Sequence, residues 1–240
     1  MESNTMTDNI LLQYMQKRLA EEESKEKTHP SPRTGKPFIT MSRQYGCPSQ
    51  KIADAMEKRL NEITGPKRPW GVVNKEILEN SAKELDLAPQ QLRYVFEAQK
   101  KSVMDEVLSA MSTRYYKSDR MIRKTIRNII EEIASQGYVV IIGRGGVAIT
   151  NDFPNSLHIR LYAPQNWRLE GIMERHAFNS QKEAYNHLRY VDKKRIDLIN
   201  HFSGGVFDFN KFDLDINCAK FSPEEVADII VNAARIKKMI

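Results

Sequence analysis

Two hydrophobic periods alternate along this chain. Phe38-Ile39-Thr40-Met41, Trp70 to Val73, Tyr138 to Ile142, Leu157 to Tyr162 and Phe212 to Ile216 are short apolar runs of strand length. Helical spacing fills the intervals. Ile52, Ala53, Met56 and Leu60 share one face, and Lys75 to Leu85 and Leu87 to Met111 read as further helices. Asp119 to Ser135 carries Ile122, Ile126, Ile129, Ile130 and Ile133 on one side. A last helix starts at Pro223, with Ser222 as N-cap and Glu225 completing a capping box. Tyr138 to Ile142 is apolar at every position, as a strand covered on both faces must be. Strands separated by helices predict an α/β three-layer fold around a five-stranded parallel sheet.

The pattern changes before Pro37. Ile10 to Leu19 has Leu11, Leu12, Met15 and Leu19 at amphipathic spacing, and Glu21 to Lys36 is charged and holds Pro30, Pro32 and Gly35. Residues 1–36 therefore read as an extension and linker, and residues 37–240 as one folded domain. The extension is either a docking helix or a tail.

Composition narrows the class. The 240 residues are 40% hydrophobic and 28% charged, which is ordinary for a globular domain. The net charge of +6 suits anionic ligands, and phosphate satisfies it as well as nucleic acid does. The basic residues from Arg114 to Arg127 alternate with apolar ones, as on a solvated helix face, so nucleic-acid binding has only net charge behind it. Cys47 and Cys218 give neither a disulfide framework nor a metal-ligand spacing, and no histidine has a ligand partner at useful spacing, so no metal ligands are assigned. No apolar stretch has membrane-spanning length, and Met1 to Ile10 lacks the basic start and apolar run of a signal peptide. A cytoplasmic protein without membrane partners is expected.

In an open parallel sheet the ligand lies at the carboxyl ends of the strands. The first loop there is Ser42-Arg43-Gln44-Tyr45-Gly46-Cys47-Pro48-Ser49-Gln50-Lys51. A phosphate loop of pattern GxxxxGK[ST] would put Gly at Arg43 and Pro48, Lys at Ser49 and a hydroxyl at Gln50. Only the internal Gly46 resembles that pattern. Pro48 has no N–H, and Lys51 sits about 200° around the helix from the lysine slot. Arg43 could supply the missing charge as a bidentate clamp. A plain strand-to-helix turn fits these residues equally well.

Ile39 to Gly46, Ile52-Ala53, Asn74 to Leu78, Val140 to Gly146, Leu157 to Ala163 with Arg168, Asp192 with Arg195, and Phe212 to Asn217 resemble, in order and spacing, the cytidylate kinase-like family. The resemblance implies a P-loop NTPase-type fold of the nucleoside monophosphate kinase kind, with a helical lid near residues 164–205. It implies phosphoryl transfer from ATP, with Mg²⁺, to a CMP-like nucleoside monophosphate or related small acceptor. Arg144 would then hold the acceptor phosphate, and Arg168 and Arg175 would close on the transferring group. Asn74, Arg189, Asp192 and Arg195 fall on the acceptor side; Ser42, Arg43, Gly46, Ser49, Gln50 and Lys51 fall at the ATP loop. Gly145 stands where cytidylate kinases have Asp, and Asn74 where an acid is usual.

Two readings follow. One is an ATP-dependent kinase; the other is a nucleotide-binding regulatory or adaptor protein with a degenerate loop and weak or no transfer. Loss of the Lys, the second Gly and the hydroxyl favours the second, whereas Arg144, Asp192 and Arg195 favour the first or an acceptor-type binder. Arg168 and Arg175 also fit a solvated helix face, Asp192 and Arg195 a surface ion pair, and Ser203-Gly204-Gly205 a hinge or a simple loop.

Overall fold

A computed structural model describes residues 35–74, 119–176 and 178–240. The helices expected at Ile10 to Leu19, Lys75 to Leu85 and Leu87 to Met111 lie outside the described residues. The five strands are β1 (Phe38–Arg43), β2 (Gly71–Val73), β3 (Val139–Ile142), β4 (Ser156–Tyr162) and β5 (Leu214–Asn217). They form one parallel sheet in the order β2-β3-β1-β4-β5. The apolar runs marked these strands to within two residues at each end.

Among the described residues six helices accompany the sheet: α1 (Ser49–Thr64), α2 (Asp119–Gln136), α3 (Gly146–Thr150), α4 (Gln165–Arg175), α5 (Gln181–Ser203) and α6 (Pro223–Ile236). On one face Ile39, Met41, Val140, Ile142, Ile159 and Leu161 pack against α1 and α6. Ile52, Ala53, Met56 and Leu60 of α1 are fully buried there, the larger side chains contributing roughly 1.5–3 kcal/mol each. On the other face Phe38, Val139 and Ile141 meet Ile126, Ile130 and Ile133 of α2, Ile149 of α3 and Phe202 of α5. This is a three-layer α/β fold around a five-stranded parallel sheet, and α4 packs against α5.

Local chemistry sets the helix ends. Ser222 Oγ accepts from the Glu225 N–H at 3.2 Å while the Glu225 carboxylate accepts from the Ser222 N–H at 2.8 Å, which is the expected capping box. Gly204, at φ +76°, stops α5, and its N–H donates to Asn200 and His201 carbonyls. The Ser203-Gly204-Gly205 turn is therefore a helix C-cap. The α4–α5 pair has its own small core of Leu169, Ile172, Ala184 and Leu188, against which Tyr45 of the β1–α1 loop packs. That last contact joins the α4–α5 pair to the β1–α1 loop.

Half-buried Glu57 on α1 has its carboxyl pushed up to about 7 by burial and then by the Asp54 charge. A folded value above the ordinary carboxylate range means the native state prefers the protonated form. Stability is therefore lost as pH rises from about 4.5 through about 7. Glu57→Gln should raise Tm by about 2–4 °C at pH 8 and change it little at pH 4.5, as read by thermal melts. An equal shift at both pH values would assign the effect to packing.

Candidate functional site

The carboxyl ends of β1 and β3 put two arginines side by side. Arg43 ends β1, and Arg144 follows β3 in the turn Gly143-Arg144-Gly145. All three turn residues have left-handed backbones, at φ +74°, +58° and +69°. For Arg144 this conformation costs about 1–3 kcal/mol, and such outliers gather where a side chain must be aimed. At Gly143 a Cβ would collide with Arg43 Nη1 and displace that guanidinium. At Gly145 a Cβ would strike the Phe202 ring. The Arg43 guanidinium therefore lies directly on the turn that carries Arg144.

Helix α5 closes this space with Asp192 and Arg195. A cleft of about 140 Å³ results, room for roughly four or five waters, and Ser42, Arg43, Arg144, Arg160, Asp192 and Arg195 are among its polar lining residues. Arg195 Nη1 donates to the Arg43 carbonyl at 3.0 Å, and its guanidinium stands 5.6 Å from the Tyr45 ring centre. Burial, followed by repulsion from Arg195 and Arg144, holds the Arg43 guanidinium well below the usual arginine range. Arg195 is lowered too, mainly by burial, with Asp192 opposing the shift. Arg43 Nε is buried with no hydrogen-bond partner among the described residues. Crowded, desolvated cations with a buried donor to spare form a site that an anion would stabilise.

The β1–α1 loop is occupied by the protein's own groups. The N–H of Gln44 donates to Leu161, that of Cys47 to Gln44 and that of Ser49 to Cys47. The Tyr45 N–H donates to Asp192 Oδ1 at 2.6 Å. Arg168, 5% exposed, donates to the Ala163 and Tyr45 carbonyls and to Asp192 Oδ2 at 2.6 Å. Arg175 donates to the Gly46 carbonyl at 2.9 Å and to Gly171 within its own helix. Gly46, at φ +97°, touches the Arg168 backbone so closely that a Cβ would not fit without movement.

The sequence-predicted residues thus divide into three groups. Ser42, Arg43, Arg144, Asp192 and Arg195 meet at the cleft. Arg168, Arg175 and Gly46 meet behind it, at the loop backbone, and Asp192 pairs with Arg168 there although Arg195 lies three residues away on its own helix. The rest lie elsewhere: Asn74 donates to Gln50 Oε1 at 2.8 Å, Gln50 donates to Asp54, and Ser49 and Lys51 occupy the first turn of α1. Arg189 rests on the Tyr185 ring, 5.8 Å from its centre, and is not part of the cleft wall.

Arg160, Phe209 and Phe212 also line the cleft, and sequence reasoning missed them. One signal was available: His158 and Arg160 alternate with the buried Leu157, Ile159 and Leu161 along β4. Polar side chains on alternate positions of a sheet strand ask for partners. His158 finds Thr40, with Nδ1 at 2.7 Å from Oγ1, and Arg160 makes a two-bond fork to Asp215 at 2.6 Å.

The donor set of the cleft fits one phosphate group. The loop does not fit the triphosphate of MgATP: four of its N–H groups are engaged internally, Pro48 has none, and the lysine slot holds Ser49. Among the described residues no group of three or more His, Cys, Asp or Glu side chains is placed to hold a metal ion. No helix among them is long and apolar enough to cross a membrane.

The structure is similar to that of an uncharacterized protein from Eubacterium ventriosum, with a TM-score of 0.55 and 18% identity over 83% of this chain and 98% of that one. Shikimate kinase from Acinetobacter baumannii, solved in complex with shikimate, matches at a TM-score of 0.48 and 13% identity, covering 88% of this chain and 100% of that one. The uronate isomerase of Corynebacterium glutamicum is 26% identical over 135 residues, 54% of this chain. The chain spans about a quarter of the length of that curated relative, 24%. The family model for the cytidylate kinase-like family matches residues 38–220, from the first residue of β1 to just past β5. This chain belongs to the cytidylate kinase-like family.

Proposed function

We propose that this chain is a cytoplasmic nucleotide-binding protein that holds the phosphate of a CMP-like nucleoside monophosphate, or of a related small acceptor, between Arg43, Arg144 and Arg195. The observation that carries the reading is the buried, unpartnered Arg43 Nε beside two further guanidinium groups. Hydrogen bonds from charged donors to a phosphate are worth about 1.5–3 kcal/mol each when the donors are already in place. Here β1 fixes Arg43, the Gly143-Arg144-Gly145 turn fixes Arg144, and the bond to the Arg43 carbonyl fixes Arg195. Little side-chain entropy is left to lose on binding.

Asp192 and Arg168 play a supporting part. Their ion pair turns the Asp192 carboxylate toward the loop amide, so one oxygen is engaged by Tyr45 and the other by Arg168. The anion in the cleft is thereby spared much of the repulsion that a free carboxylate would exert. Arg195 keeps its charge for the ligand.

The second reading is phosphoryl transfer from ATP to the same acceptor. Family membership supports it, together with the place of Arg168 and Arg175 on the loop carbonyls. It requires both side chains to release Tyr45 and Gly46, so that the loop can turn its N–H groups outward. The engaged state of that loop favours binding over turnover.

Arg144→Ala should weaken CMP binding roughly 10–100-fold, the equivalent of about 1.5–3 kcal/mol, with an unchanged circular dichroism spectrum. An unaltered affinity in calorimetry would remove Arg144 from the site. A panel of nucleoside monophosphates incubated with MgATP should release ADP well below the ~1 s⁻¹ at the slow end of ordinary enzymes. ADP release at ordinary enzyme rates with any acceptor would establish the transfer reading instead.

A further inference from the structure

The two cysteines of the chain stand far apart in sequence, and nothing in their spacing pairs them. The sheet brings them together. β4 lies between β1 and β5, which sets those two strands roughly 10 Å apart. Both chains then bend over the carboxyl end of β4. After β1, the Gln44 N–H donates to the Leu161 carbonyl at 3.0 Å, and Gln44 Oε1 accepts from the Ala163 N–H at 3.1 Å. After β5, the Cys218 N–H donates to the Tyr162 carbonyl at 2.8 Å. Cys47, whose N–H donates to the Gln44 carbonyl, and Cys218 are thus held over neighbouring residues of one strand end. Their thiols meet there within hydrogen-bonding reach.

The two thiols are unlike. Both are buried in the core that the sheet shares with α1 and α6, so only a small oxidant can reach them. The Cys218 thiol has two acceptors in reach, the Cys47 sulfur and, at 4.0 Å, the Ile216 carbonyl. The hydrogen bond from Cys218 makes Cys47 more acidic than an ordinary thiol despite burial, and the Arg168 and Arg195 charges add to the effect. Cys218 shifts the opposite way, through the same bond and then through burial. A thiolate-prone cysteine beside a second thiol is the arrangement of a redox-sensing pair, in which one sulfur reacts and the other resolves it. Disulfides in a reducing compartment are mostly of this transient kind.

We infer that Cys47 and Cys218 form a redox modification site, at which a peroxide joins them as a disulfide across the end of β4. The Cys47 thiolate attacks a peroxide oxygen and the O–O bond breaks. Hydroxide leaves, takes up a proton as water, and a sulfenic acid remains on Cys47. The Cys218 sulfur then attacks the Cys47 sulfur, the S–O bond breaks, and the departing hydroxide takes the Cys218 proton as a second water. The two sulfurs together lose two electrons, and the peroxide gains them. Because the Cys47 carbonyl accepts from the Ser49 N–H at the start of α1, the bridge fastens the β1–α1 loop to the chain after β5. Neither cysteine lines the cleft, so the pair stands independently of the phosphate site.

Thiol alkylation with mass spectrometry of the full chain tests this, the urea-denatured protein serving as control. After hydrogen peroxide both thiols of the native wild type should vanish together, the intact monomer should be lighter by two hydrogens, and dithiothreitol should restore both. Cys218→Ser should instead leave a Cys47 sulfenic acid that dimedone traps, whereas Cys47→Ser should leave the Cys218 thiol unreacted at the same dose. Hydrogen exchange at the Cys47 and Ser49 amides should slow at least roughly tenfold in the oxidised wild type. Oxidation of one cysteine alone, or a bridge found only between two chains, would overturn the site. So would native thiols that survive a dose consuming those of the denatured protein. Unchanged exchange in a bridged protein would overturn the fastening of the loop.

Discussion

A single buried guanidinium, that of Arg168, decides the state of the whole site. It reaches from α4 to two carbonyls of the main chain and to the Asp192 carboxylate on α5, and so ties three segments together. A cation this deeply desolvated is tolerated only when well matched by acceptors, and losing one partner typically costs about 3–5 kcal/mol. The consequences run outward from it. Gly46 must lack a Cβ because the Arg168 backbone lies against it, Tyr45 must turn its amide to Asp192, and the loop cannot at the same time turn its amides to a phosphate.

The arginines of this region therefore fall into two electrostatic classes. Arg168 and Arg160 are each neutralised by an aspartate at 2.6 Å and act as braces. Arg43 and Arg195 are crowded, desolvated and destabilised in their charged form, and Arg43 is pressed further by Arg144. Repulsion among them is a standing cost in the absence of an anion. In the proposed phosphate site that cost would be relieved by the ligand, because the fold has already placed the donors. Nucleotide binding follows from this cluster, whereas transfer would need the Arg168 brace to let go.

The fold was legible for a plain reason. A parallel sheet covered on both faces needs apolar runs such as Val139 to Ile142, and amphipathic helices need spacings such as that of Ile52, Met56 and Leu60. Both are local properties of the sequence. The place of Arg43 and Arg144 in the cleft was legible because each stands at the carboxyl end of a parallel strand. The partner of Asp192 was not: the helix offered Arg195 three residues on, and the chosen ion is Arg168, twenty-four residues back and on another helix. Arg160 with Asp215 was hidden similarly, since the pair depends on the register between two strands 55 residues apart. Phe209 carried no signal and Phe212 read as the start of the fifth strand until the fold set both against Arg160 at the cleft.

The most direct test of the phosphate site is a titration of the protein with inorganic phosphate, followed through the arginine Nε–H signals in NMR. The orphaned Arg43 Nε–H and those of Arg144 and Arg195 should shift together and saturate with one dissociation constant, while the braced Arg168 and Arg175 signals hold still. Movement of the Gly46, Ser49, Gln50 and Lys51 amides with a stationary Arg43 signal would contradict the account, because the phosphate would then lie in the loop.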